Sequence, residues 1–156
     1  DSLSGAEGAD TLDGGRGRDY LFGGADSDTY LFGRDSGFDT IYEGYADAGV
    51  DTLRLAADVL PNAVSLYRDG NDLIVVLDQG ANQVRVTERY LSNPTYDTWR
   101  ADYIAIEQIV FGDGTVWDKA AMAARVVSSS ATAFTGGAGN NTFIVDDTRD
   151  TSRDGL

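Results

Sequence analysis

Three consecutive nine-residue units, GAEGADTLD (5–13), GGRGRDYLF (14–22) and GGADSDTYL (23–31), share one phase of glycine, aspartate and apolar residues. Position six is aspartate in each, Asp10, Asp19 and Asp28, and position eight is a large apolar residue, Leu12, Leu21 and Tyr30. The preceding DSLS fits the tail of an earlier unit, with Asp1 and Leu3 in the same phase. A flexible linker has no reason to set an apolar side chain at every eighth position, and low-complexity tracts lack such phase. A chain with this period builds one small structure repeatedly and stacks the copies. Glycines at positions one, two and four permit positive φ and close backbone approach. The departures are Ala6, Asp26 and Ser27. Aspartate is among the few residues that tolerate the left-handed region, so a turn through Asp26 survives.

The acidic side chains number 26 against 12 basic, a formal charge of −14. Such a surface does not suit nucleic acid, whose phosphates select clustered Lys and Arg. Cations are its natural partners. Cysteine is absent, which removes disulfides and thiolate metal sites, and histidine is absent, which removes the usual general base and the commonest zinc ligand. No enzymatic role is expected of this chain. No apolar run approaches the roughly 20 residues of a membrane span, and no secretory signal opens the sequence. The start at Asp1 reads as a piece of a longer polypeptide whose targeting signals lie elsewhere.

The pattern G-G-x-G-x-D-x-U-x resembles the calcium-binding nonapeptide repeat of the RTX, or haemolysin-type, family. The resemblance implies an all-β fold, a right-handed parallel β-roll in which six residues turn and three form a strand. Adjacent units then lie on opposite sides, and aspartates eighteen residues apart share a side: Asp10 faces Asp28 and Asp1 faces Asp19. Stacked carboxylates repel unless a cation sits between them, and calcium accepts six to eight oxygens in forgiving geometry. The ligand set implied by the resemblance is aspartate with glycine-turn carbonyls: Gly5, Glu7 and Asp10; Gly14, Arg16 and Asp19; Gly23, Gly24, Asp26 and Asp28. The best site lies between the turns at 5–10 and 23–28.

Beyond Leu31 the spacing loosens, but Asp39-Thr40-Ile41 and Asp51-Thr52-Leu53 repeat the D-T-U signature. These read as wider turns, with Asp39 facing Asp19 or Asp28 and Asp51 facing Asp39. The alternative is that both aspartates merely end turns before strands.

From Val64 the pattern changes to strands near 64–68, 72–77 and 83–87, joined at Asp69-Gly70-Asn71 and Asp78-Gln79-Gly80, an antiparallel meander. YIAIEQIVFGDGTVW predicts two more strands around Gly112-Asp113-Gly114, and Asp118 caps a short helix in KAAMAARVV. This succession resembles the region that follows RTX repeats in secreted proteins of Gram-negative bacteria, where it caps the roll. The organisation expected is a calcium-binding roll at 1–53, a β-rich cap at 54–127, and at 128–156 a linker and the start of a degenerate repeat with Asn141 in place of aspartate. Glu88, Glu107 and Asp113 suit strand-end and hairpin roles better than a glycosidase pair. The aromatics Tyr90, Tyr96, Trp99, Tyr103 and Trp117 suit core and edge packing better than sugar stacking, and Arg85, Arg89 and Arg100 are expected solvated or paired with acids.

The function implied is that of a calcium-binding module of a large secreted or cell-surface protein, folding on calcium after passage through a type I secretion apparatus. The competing class is a recognition module that binds a host surface or glycan with calcium in support.

Overall fold

The computed structural model describes residues 1–43, 49–70, 72–88 and 105–128. The expected linker and degenerate repeat with Asn141, together with Arg89, Tyr90, Tyr96, Trp99, Arg100 and Tyr103, lie outside the described residues.

Each repeat unit supplies one short strand, because its apolar and threonine positions favour extended backbone; two of these strands run on through glycine, to six residues rather than the three the resemblance implies. The strands are β1 (Ser2–Glu7), β2 (Thr11–Asp13), β3 (Tyr20–Ala25), β4 (Thr29–Phe32), β5 (Phe38–Glu43) and β6 (Thr52–Leu55). They alternate between two sheets: β1, β3 and β5 run parallel in one, and β2, β4 and β6 run parallel in the other. Ser2 pairs with Tyr20 and Thr11 with Thr29, an eighteen-residue step. Tyr20 then pairs with Thr40 and Thr29 with Thr52, so the extra residues of the looser turns are absorbed without shifting the ladder. That register brings every position-eight side chain inward. Leu21 stacks on Ile41 in one sheet, and Leu12, Tyr30 and Leu53 stack in the other, all buried.

The second half continues both sheets. β7 (Val64–Asp69), β8 (Asp72–Leu77) and β9 (Asn82–Glu88) form the expected antiparallel meander, and β9 lies parallel beside β5. β10 (Gln108–Val110) lies parallel beside β6, and β11 (Val116–Asp118) turns back against it around Gly112-Asp113-Gly114. Among the described residues the fold is mostly β, with two mixed, largely parallel sheets and one short α-helix. Among the described residues no helix is long and apolar enough to cross a membrane.

Asp118 caps that helix, α1 (Lys119–Ala123), by accepting the Ala121 N–H at 2.8 Å. The helix stops at Ala123 and does not use all of KAAMAARVV, because Val126 and Val127 enter β12 (Val126–Ser128), parallel to β7. β-branched side chains lose rotamer freedom in a helix and fit a pleated surface better. Trp117 is buried edge-on to Phe111, with centroids 4.5 Å apart, and Arg125 lies 4.6 Å over its ring. Arg85 bridges the meander by pairing with Asp69 at 2.6 Å and Asp72 at 2.5 Å.

The stacked inward residues supply the hydrophobic part of the repeats' stability. Leu53 is fully buried between Tyr30 and Ile109. Leu53→Ala is expected to lower unfolding free energy by about 2–5 kcal/mol, and Val116→Ala, at an exposed site, by about 0.5 kcal/mol or less. Denaturant unfolding at saturating calcium measures both.

Candidate metal centre

Each position-six aspartate stands two residues before an inward side chain, so the strand register stacks the aspartates as well. The Asp10 N–H donates to Oδ1 of Asp28 at 2.9 Å, and the Asp28 N–H to Oδ1 of Asp51 at 2.8 Å. The Asp51 N–H donates to Oε2 of Glu107 at 2.7 Å. On the opposite side the Asp19 N–H donates to Oδ1 of Asp39 at 3.1 Å. Asp39 therefore faces Asp19, and Asp51 faces Asp28 rather than Asp39, since β5 and β6 belong to different sheets. Asp19, Asp28, Asp39 and Asp51 are all buried.

Only one oxygen of each carboxylate serves this chain of bonds. Among the described residues, Oδ2 of Asp10 and Oδ2 of Asp19 are buried without a hydrogen-bond partner. Position one of the repeat is what makes room for them. A Cβ on Gly5 would lie 2.6 Å from Oδ2 of Asp10, and one on Gly14 2.9 Å from Oδ2 of Asp19. Gly23 stands in the same way against Asp28. Positive φ belongs instead to positions two and four: Ala6 (82°), Gly15 (78°), Gly24 (114°), Gly8 (106°), Gly17 (135°) and Asp26 (76°). Asp26 does adopt the left-handed region, and its Oδ2 accepts the Gly8 N–H at 3.2 Å.

The other residues implied by the resemblance are more exposed. Glu7 ends β1, exposed and opposite Ala25. The Arg16 side chain is exposed and pairs with Asp35 at 3.0 Å. Asp113 is exposed and accepts the Thr115 N–H at 2.9 Å, which holds its carboxyl below the ordinary range; it is a turn residue.

Glu43 was not singled out by the motif. By strand register it occupies the place of Gly5 and Gly23. It is buried, accepts a hydrogen bond from the Tyr30 hydroxyl, and lies with Asp28 and Asp51 in a cluster whose ligand oxygens all fall within 4.8 Å of one another. Burial pushes its carboxyl up to about 8, the charges of Asp51, Asp28 and Glu107 push the same way, and the Tyr30 bond opposes them. Burial and Glu43 together raise the Tyr30 hydroxyl. Burial, with the charge of Asp19, pushes Asp39 up to about 6. The signal for Glu43 was present in the sequence: position one always follows the inward residue by two, as Glu43 follows Ile41. Glu107 was legible too. Glu107-Gln108-Ile109 has the spacing of Asp51-Thr52-Leu53 with longer side chains.

Stacked, buried carboxylates of this kind define a class of protein that binds hard cations through oxygen. Residues 1–30 match the RTX calcium-binding nonapeptide repeat in four copies, and residues 72–121 match the haemolysin-type calcium binding protein related domain. The chain carries RTX calcium-binding repeats followed by a haemolysin-type calcium binding protein related domain. No curated protein matches it.

Calcium fits what the residues offer: oxygen donors only, buried oxygens without partners, and glycine cradles that a methyl group would fill. Gly14→Ala is therefore expected to raise the calcium needed for folding more than Gly15→Ala. A Cβ on Gly15 meets nothing within 4 Å and costs only the left-handed strain of about 1–2 kcal/mol. Equal midpoints in calcium titrations of the two variants would count against the cradle.

The raised carboxyls also set a pH dependence. The folded chain holds these protons more tightly than an unfolded chain does. Their contribution to stability is complete below the ordinary carboxylate range and is lost as pH rises through about 6 for Asp39 and about 8 for Glu43. In calcium-free solution β structure is expected to decrease from pH 5 to pH 8, and Glu43→Gln to flatten that slope. Circular dichroism across the range checks it.

Proposed function

We propose that this chain is a calcium-dependent folding unit, a parallel β-roll closed by a β-rich cap, within a larger secreted bacterial protein, and that it is not itself an enzyme. The observation that carries the reading is the pair of buried, partnerless oxygens on Asp10 and Asp19, each in a cradle kept open by glycine. Bound calcium would supply positive charge and an oxygen-rich coordination sphere at these carboxylates. The residues that would hold it are Asp10, Asp19, Asp28, Asp39 and Asp51 with the glycine-turn backbone, and Glu43 at the wider turn.

Each repeat turn orders nine residues yet buries mainly one large side chain, while adding a carboxylate to a dry stack. Such a segment is poorly stable by itself, and metal affinity becomes folding free energy. Extracellular calcium modules bind at about 10⁻⁴ to 10⁻³ M, above cytosolic calcium and near that outside cells. The chain would remain unfolded inside a bacterium, pass a type I secretion channel and fold on emergence.

The experiment is circular dichroism of the purified chain in chelator and in millimolar calcium. The expected result is a large calcium-induced gain of β signal, with a midpoint raised strongly by Asp28→Ala and little by Asp113→Ala. A full β signal in chelator, unchanged by calcium, would sink the proposal.

One observation favours a second reading, recognition of a glycan: Tyr20, 42% exposed, lies 6.2 Å from Tyr42, which stacks on Phe22 at 4.8 Å across β3 and β5. A glycan array with and without calcium separates the two.

A further inference from the structure

The links Asp10 to Asp28, Asp28 to Asp51 and Asp51 to Glu107 have the same form, backbone N–H to carboxylate, at 2.9, 2.8 and 2.7 Å. Their ends differ. Oδ2 of Asp10 has no hydrogen-bond partner, whereas Oε1 of Glu107 lies 2.9 Å from Nζ of Lys119. We propose that Lys119 is a built-in cation that closes the carboxylate stack, its ammonium standing at the last carboxylate where calcium would otherwise be needed. This rests on the calcium reading above.

The placement of Lys119 follows from the sheet. The antiparallel ladder of β10 and β11 ends at the pair Gln108–Asp118, and Glu107 and Lys119 are the next residues beyond it on each side. Their opposite charges attract at this separation. The lysine is held there by the Asp118 cap at the start of α1 and by fully buried Met122 in the same helix. Both partners lie in the segment matched to the haemolysin-type related domain. On the opposite side the stack also stops inside this segment, by another device: the residue paired with Asp39 is Val84, buried and apolar. The segment therefore ends one stack with a lysine and the other with a hydrocarbon, and leaves neither asking for a further ion.

The test is a calcium titration by circular dichroism of the whole chain and of Lys119→Met, Lys119→Arg, Glu107→Gln and the Glu107→Gln/Lys119→Met double variant. Lys119→Met is expected to raise the folding midpoint about two- to fivefold, the range for a partly exposed ion pair. Lys119→Arg should restore it, and Lys119→Met should have no effect in the Glu107→Gln background. An unchanged midpoint in Lys119→Met, no rescue by arginine, or an equal shift in both backgrounds overturns the proposal. If Lys119→Met does not fold at any calcium concentration, the double variant must fold as Glu107→Gln does, and its failure overturns the proposal too. If calcium changes nothing in the unaltered chain, the calcium reading fails instead, and thermal midpoints of the same variants read the Lys119–Glu107 coupling directly.

Discussion

The hydrogen bond from the backbone N–H of one aspartate to the carboxylate of the aspartate two strands later organises this molecule. It joins neighbouring parallel strands in one sheet, at the turn where each strand begins. The apolar side chain two residues on is then placed directly over its equivalent, and the core follows as a stack rather than as a jigsaw of unrelated contacts. The same bond forces carboxylates into a dry environment, where their mutual repulsion opposes the hydrophobic gain. The glycines at position one keep the space around those charges open.

The segment after the repeats shares this frame. β9 and β10 take the next places in the two sheets, beside β5 and β6, so the repeat geometry ends gradually. Glu43 marks the transition. Where earlier turns have glycine, a buried carboxylate enters beside Asp28 and Asp51.

Much of this is legible in the sequence. The eighteen-residue pairing, the inward residues, the meander and the Asp118 cap all follow from local pattern: period nine, period two, and turn chemistry. The helix is overextended beyond Ala123 on sequence grounds, because alanine propensity speaks louder than the pull of Val126 toward β7. The facing of Asp51 is ambiguous because inserted residues hide which sheet a strand joins, and only the alternation resolves it. Glu43 and Glu107 escape a motif of glycine and aspartate, which directs attention to those letters. Their spacing from Ile41 and Ile109 carries the same information in other residues. The matched repeats end at residue 30, while the stack of carboxylates runs on to Glu107.

Alternation of strands between two sheets gives the chain a parity. Removing eighteen residues from the repeats deletes one strand from each sheet and leaves every later strand where it was. Removing nine sends each later strand to the opposite sheet, so that β9 and β10 would exchange neighbours and Glu107 would meet the wrong stack. A gene for such a segment can therefore lengthen or shorten freely in even steps. Odd steps require every later strand to be rebuilt for the other sheet.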